Sequence, residues 1–160
     1  MRARTVASVV LAAGILLGTS ACNLAAPQAT TIQYDASDGV SGDVGDIAVR
    51  NAMLITEDGE TANLVVTVVN RGDSAHSLTV QFTAAGDKVT ERINVPANTS
   101  LTVGTPDAPT VTLENTGAET GGLFPVYFQY GEETPLELLV PVLDTTLPEY
   151  STLAPSAPTS

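Results

Sequence analysis

The sequence predicts an all-β chain, an antiparallel β-sandwich of immunoglobulin or cupredoxin type with seven or eight strands. Three observations lead to this fold class. Apolar and polar residues alternate with period two between Ile47 and Leu143. Turn residues interrupt the alternation about every 8 to 12 residues, as in sandwich domains. No helical period follows the first 22 residues of the chain. A closed barrel is the alternative arrangement of the same strands.

The strands follow from these runs in order. We predict them at residues 47–56, 63–70, 78–83, 89–95, 100–104, 110–114, 124–130 and 136–143. Run 63–70 is almost wholly β-branched, so we expect a central strand with both faces covered. Pro141 cannot donate to a ladder, so the last strand should be an edge or carry a bulge there. The predicted core comprises Val66, Val68, Leu78, Val80, Val126 and Phe128.

Residues 1–21 have the three parts of a lipoprotein signal peptide. Arg2 and Arg4 precede an apolar run, 6–18, that is too short to span a bilayer comfortably. Small residues, with Thr19 at the position that usually holds Leu, then lead to Cys22. The pattern predicts cleavage before Cys22 and attachment of a diacylglycerol to its sulfur. The chain would then be lipid-anchored on the extracytoplasmic face of the cell membrane. Ordinary secretion and an uncleaved anchor are the alternatives.

The predicted β domain, residues 43–144, lies between two segments that we expect to be flexible. Residues 22–42 are the lipidated cysteine and an acidic linker, whose aspartates fail the spacing of a calcium loop. Residues 145–160 are rich in Pro, Thr and Ser, so we predict a disordered tail.

The charge of the chain after Cys22 excludes one class of partner. Four basic and 18 acidic residues follow that cysteine, which gives a net charge of −14. Such a surface repels nucleic acid phosphates, so we expect no nucleic acid partner. Contact with the membrane would come through the lipid anchor. Once Cys22 is lipidated, the chain has no other thiol for a disulfide or a zinc-thiolate site.

The residues that catalysis needs are scarce. The sequence contains one histidine, His76, which follows a turn and is expected to be solvated, and one lysine, Lys88. There is no Gly-x-Ser-x-Gly motif and no Ser-x-x-Lys motif. Paired carboxylates could serve a glycosidase, but tryptophan is absent and other aromatic residues are few. We therefore expect no enzyme activity and no cofactor.

Several motifs resemble the PCuAC-type periplasmic copper chaperone family. They are Val68-Val69-Asn70-Arg71-Gly72, Val95-Pro96-Ala97-Asn98 and the apolar strands at 126–130 and 138–142. The resemblance implies the β-sandwich fold. That family binds Cu(I) through His and Met, but residues 104–110 contain neither here. Met53 and His76 are the donors that remain after Cys22, and Cu(I) usually needs three or more soft ligands. We therefore predict no metal site, with Met53 and His76 as the weak alternative.

A second resemblance covers nearly the whole chain after Cys22. The chain is similar to the LpqE-like actinobacterial envelope lipoproteins in its lipidation motif, in residues 46–52 and in Gly104-Thr105-Pro106-Asp107. This resemblance implies a non-enzymatic lipid-anchored β-sandwich, an interaction or structural module whose partner is an envelope protein or a cell-wall component. A degenerate copper chaperone and an uncharacterised hydrolase are the competing hypotheses.

Overall fold

A computed structural model describes residues 5–8 and 37–155. The first 34 residues form one unit and residues 35–160 another. Residues 5–8 are helical. Within the described ranges, no helix has the length and apolar character needed to cross a membrane. The predicted cleavage site, Cys22 and most of the predicted linker lie outside the described residues.

The second unit contains nine strands. They are β1 (Val40–Val44), β2 (Ile47–Thr56), β3 (Thr61–Asn70), β4 (His76–Ala84), β5 (Asp87–Val95), β6 (Thr99–Val103), β7 (Thr112–Glu114), β8 (Leu123–Gln129) and β9 (Leu136–Leu143). Strands β2 to β9 correspond to the eight predicted runs, with ends that differ by a few residues.

Strand β1 begins at Val40, so its first three residues lie in the segment 22–42 that we predicted to be linker. It pairs antiparallel with β2, from Val40 opposite Ala52 to Val44 opposite Ile47. A Cβ at Gly39 would lie 2.5 Å from the Asn51 carbonyl carbon, so glycine lets the chain approach β2 closely. The structure therefore places residues 40–42 in the sheet. Val40 and Val44 are the only apolar residues of this strand, too few for apolar periodicity to report it.

The strands form one curled sheet with the order β5-β4-β8-β9-β2-β3-β6, in which β1 also pairs with β2 and β7 with β3. The all-β prediction is confirmed. The fully antiparallel arrangement is not, because β2 and β9 run parallel through Leu54–Val142 and Ile55–Leu143. Alternation along a strand shows which face is buried, but it does not show which strands are neighbours.

Pro141 lies within β9, between β8 and β2, and not in an edge strand. The predicted alternative, a bulge, is not seen in the pairing with β8, whose register is unbroken from Leu136 to Pro141. Val142 donates its N–H to the Gly122 carbonyl at 3.0 Å. Since N–H groups alternate in direction along a strand, the Pro141 nitrogen points away from β8 and towards β2. The pairing with β2 begins only at Val142. Pro141 is therefore tolerated within the sheet, because β2 offers no hydrogen-bond partner to the backbone nitrogen at this position.

The predicted core residues are buried in one hydrophobic cluster on the inner face of the curled sheet. Val66, Val68, Leu78, Val80, Val126 and Phe128 are all at most 1% exposed. Val80 and Phe128 are opposite each other in the β4–β8 ladder. On the other face of β3, Val65 belongs to a second cluster with Met53, Ile55 and Tyr150. Both faces of β3 are therefore covered, as predicted.

The cover over this second cluster comes from residues 145–155, called here the C-terminal segment. Tyr150 is 6% exposed, and Leu153 packs against the same cluster. The Asn63 side-chain N–H₂ donates to the Leu153 carbonyl at 2.8 Å, and the Tyr150 hydroxyl donates to the Asp38 carboxylate. The structure thus places on an apolar sheet face residues for which we predicted a disordered tail, and Tyr150 and Leu153 supply the apolar contacts. Residues 156–160 lie outside the described ranges.

Candidate functional site

Cys22, the predicted lipidation site, lies outside the described residues, so its modification stays a prediction. The other candidate residues belong to the β unit and can be placed.

Met53 is a buried residue of β2. Its side chain is 5% exposed and packs with Ile55, Val65 and Tyr150 on the outer face of the sheet. The C-terminal segment covers this cluster, so the thioether faces apolar neighbours. The position suits a core methionine.

His76 is the first residue of β4 and is half-buried, where we had expected a solvated turn residue. Its ring lies against the Tyr130 ring, with centroids 4.3 Å apart and planes at 39°. Tyr130 packs against the main core, and its hydroxyl accepts the Asp46 N–H at 2.8 Å. Met53 faces the cluster under the C-terminal segment, so the two predicted donors have different surroundings and do not build one site.

Residues 104–110, where the copper chaperone family places metal ligands, form a loop closed by its own backbone. The Gly104 N–H donates to the Pro109 carbonyl at 2.8 Å, and the Gly104 carbonyl accepts from the Asn63 side chain at 2.7 Å. Gly104 has φ of +85°, and a Cβ there would lie 2.2 Å from the Leu64 carbonyl oxygen. This glycine is therefore needed for the loop to pack on β3.

The two motifs of the copper chaperone resemblance contact each other. The Asn70 side chain is 1% exposed and donates to the carbonyls of Ser74, Val95 and Pro96 at 2.8, 3.2 and 3.1 Å. The Asn98 N–H donates to the Gly72 carbonyl at 3.1 Å. These motif residues therefore have a structural role, since they fasten the turn after β3 to the end of β5.

Acidic residues near the predicted linker have partners within the domain. The Asp43 carboxylate contacts the guanidinium groups of Arg50, at 2.9 Å, and Arg71. Asp38 accepts from Tyr150. In the part of the chain that the structure describes, no group of three or more His, Cys, Asp or Glu side chains is arranged to hold a metal ion.

One feature was missed in the sequence, a groove of about 530 Å³ on the outer face of β4, β8 and β9. We call it the outer groove. It is lined by Thr79, Gln81, Phe82, Thr83, Lys88, Tyr127, Gln129, Pro135 and Glu137. The Tyr127 hydroxyl donates to Glu137 Oε1 at 3.0 Å, and this hydrogen bond raises the pKa of Tyr127 above 10.0. The only signal in the sequence was that polar residues alternate with apolar ones in β4 and β8. The groove could not be predicted from this signal, because it also depends on which residues of the two strands are opposite each other.

Comparison with known proteins identifies the fold of the β unit. No protein-family model matches the chain, and neither does any curated protein. Solved PCuAC domains are similar in structure. The apo domain from PmoF1 has a TM-score of 0.54 and 18% identity, and covers 66% of this chain and 98% of its own. The copper-bound domain from PmoF2 has a TM-score of 0.50 and 19% identity, and covers 66% and 97%. The β unit therefore has a PCuAC-like fold.

Proposed function

We propose that this chain is a lipid-anchored envelope lipoprotein of the LpqE-like group, whose β domain binds or positions another envelope component and catalyses no reaction. The observation that carries the proposal is the position of Cys22, the sole cysteine, directly after a charged, apolar and small-residue leader. Stable anchoring would need the two or three acyl chains that such a cysteine carries.

The histidine and two of the acidic residues make contacts within the domain. The ring of the sole histidine, His76, stacks on Tyr130. Asp43 is engaged by Arg50 and Arg71, and Asp38 by Tyr150. These contacts stabilise the fold. The outer groove, which none of these three residues lines, is the place that we propose for a partner.

Fractionation of intact cells tests the proposed location. We expect the full chain to sediment with membranes and to be degraded by protease added outside the cytoplasmic membrane. Cys22→Ala should move it to the soluble fraction or leave it uncleaved. Thr19→Leu, which restores the usual lipidation motif, is the matched control and should stay anchored. Equal membrane association of the Cys22→Ala variant in mature, cleaved form would overturn the proposal.

The PCuAC-like fold favours a second candidate, a degenerate copper chaperone, because one of the similar domains is copper-bound. Its donors in this chain would be Met53 and His76. Met53 is 5% exposed beneath the C-terminal segment and His76 stacks on Tyr130, so this candidate requires both residues to leave their present contacts.

A Cu(I) titration of the full chain under a competing chelator distinguishes the two candidates. The proposed lipoprotein function predicts that the chelator keeps the copper. One equivalent of Cu(I) retained by the chain, and lost in Met53→Leu or His76→Ala, would establish the chaperone instead. Cu(I) is the probe because carboxylates are hard ligands that collect Cu(II) loosely.

A further inference from the structure

The outer groove is built from two rows of side chains that cross the strands. In the first row, Thr90, Gln81, Tyr127 and Glu137 are successive neighbours across β5, β4, β8 and β9. In the second, Arg92, Thr79 and Gln129 are neighbours in the same way. Because the residues between them point into the core, these side chains share the solvent-facing side of the sheet. The rows are therefore fixed by the sheet itself and not by a loop.

The four side chains of the first row form two hydrogen-bonded pairs, and Gln81 and Glu137 keep free hydrogen-bonding capacity. Tyr127 donates to Glu137 at 3.0 Å, and the Gln81 amide N–H₂ donates to the Thr90 hydroxyl at 3.4 Å. Among the described residues, the Gln81 amide oxygen and the second Glu137 carboxylate oxygen have no further partner. The Tyr127 ring stands between these groups. Donors, acceptors and an aromatic face are thus presented together.

The outer groove carries one basic and one acidic side chain, Lys88 and Glu137, and Arg92 lies beside it on β5. Arg50 and Arg71 are both engaged by Asp43. Lys88 and Arg92 are exposed on β5, and in the residues that the structure describes neither has an ion-pair partner. Lys88 lines the outer groove. In a chain of net charge −14, this groove is thus a place where a ligand carboxylate can find an unpaired cation.

We propose that the outer groove binds a short oligosaccharide that carries a carboxylate. Sugar hydroxyls both donate and accept, as do the side-chain amides of Gln81 and Gln129 and the hydroxyls of Thr79 and Thr83. The Tyr127 ring offers an apolar face to the C–H side of a sugar ring, and Lys88 pairs with the carboxylate. A volume of about 530 Å³ lies within the range of ligand sites. This inference names the partner class of the proposed function and rests on it for the envelope location.

Calorimetric titration of the full chain, in a detergent without a sugar headgroup, tests the inference. The probes are a tetrasaccharide of alternating N-acetylglucosamine and N-acetylmuramic acid, which bears carboxylates, and chitotetraose, its neutral counterpart. We expect the acidic probe to bind more tightly. Tyr127→Ala and Gln81→Ala should each raise its Kd by about tenfold or more. Lys88→Gln should remove the preference for the acidic probe without removing binding.

Thr102→Ala, an exposed substitution on β6, is the control and should leave both Kd values unchanged. Thermal melts of each variant identify any loss caused by unfolding, and Gln81→Ala tests the site independently of the aromatic ring. The inference is overturned if neither probe binds, if Tyr127→Ala and Gln81→Ala both bind normally while folded, or if a photoreactive group at Gln129 captures a protein in cells instead of a glycan. Failure of glycan binding would leave the Cys22 fractionation result unaffected, so the two proposals fail separately.

Discussion

The Asn70 side-chain nitrogen lies 3.1 Å from the carbonyl oxygen of Pro96, 26 residues further along the chain. This hydrogen bond joins the end of β3 to the turn after β5, and the same amide also reaches the carbonyls of Ser74 and Val95. Asn70 is 1% exposed, and its hydrogen bond to Val95 is fully buried, whereas those to the exposed residues Ser74 and Pro96 are partly buried. A single buried amide thereby fastens together the segments that make this sequence resemble a copper chaperone.

Replacing Asn70 should therefore destabilise the domain strongly. Asn70→Ala removes a buried side-chain amide together with the three hydrogen bonds that it donates, so we expect a loss of about 2–3 kcal/mol in the free energy of unfolding. Denaturant melts measure it. Asn98→Gly is the control, because glycine also accepts the positive φ at that residue and should change stability by less than about 0.5 kcal/mol. Equal stability of Asn70→Ala and the wild type would show that the fastening is dispensable.

The main core should depend on Phe128, which is fully buried opposite Val80. Phe128→Ala should cost about 3–5 kcal/mol, because it removes a large apolar side chain and leaves a cavity. Chemical denaturation tests this value. Leu139→Ala, on the same β8–β9 hairpin but 53% exposed, serves as the comparison and should cost far less. A loss under about 1 kcal/mol for Phe128→Ala would place the ring outside the core.

The contact between Tyr150 and Asp38 should make stability fall at high pH. The hydrogen bond to Asp38, with burial and nearby negative charge, raises the pKa of Tyr150 from 10.0 to about 12. The folded state therefore holds this proton more tightly than the unfolded state. The stabilisation is complete below pH 10 and is lost as the pH rises from 10 towards 12. Tyr150→Phe should lack this component, which denaturant melts at several pH values would reveal as a difference from the wild type. Parallel pH profiles would contradict it.

Met53 should be protected from oxidation by the C-terminal segment. It packs with Tyr150, and Leu153 borders the same cluster. A Tyr150→Ala and Leu153→Ala double variant should oxidise faster at Met53 in dilute peroxide, as peptide mass spectrometry would report. Leu147→Ala, at a residue of the same segment that is 50% exposed, is the matched control and should oxidise at the wild-type rate. An unchanged rate in the double variant would mean that the segment does not shield the sulfur.

Much of the core could be predicted from sequence, because alternation in runs such as 78–83 and 124–130 directly reports which side chains are buried. The parallel direction of β9 relative to β2 could not be predicted, because two residue pairs between distant strands leave no local signal in the sequence. The start of strand β1 was missed because Val40 and Val44 are its only apolar residues, too few to show an alternation. The C-terminal segment was missed because it contacts the apolar outer face of β2 and β3 through only two apolar residues, Tyr150 and Leu153. Two such residues do not form a recognisable pattern in the sequence.

The candidate sites, too, could be predicted from the sequence only in part. The sequence named Met53 and His76 as potential donors, but their separation follows from opposite faces of one sheet and from the Tyr130 contact. The outer groove depends on the register that puts Gln81 opposite Tyr127 and Tyr127 opposite Glu137. These residues come from strands that are distant in sequence, so no local motif predicts that they lie side by side.

Metabolic labelling with a clickable fatty-acid analogue, followed by mass spectrometry of the N-terminal peptide, tests most directly the central proposal of a lipid-anchored lipoprotein. We predict that the label is attached to Cys22 of a chain cleaved after Ala21, and that Cys22→Ala carries none. Label retained in the Cys22→Ala variant, or an unacylated mature chain that begins elsewhere, would contradict it.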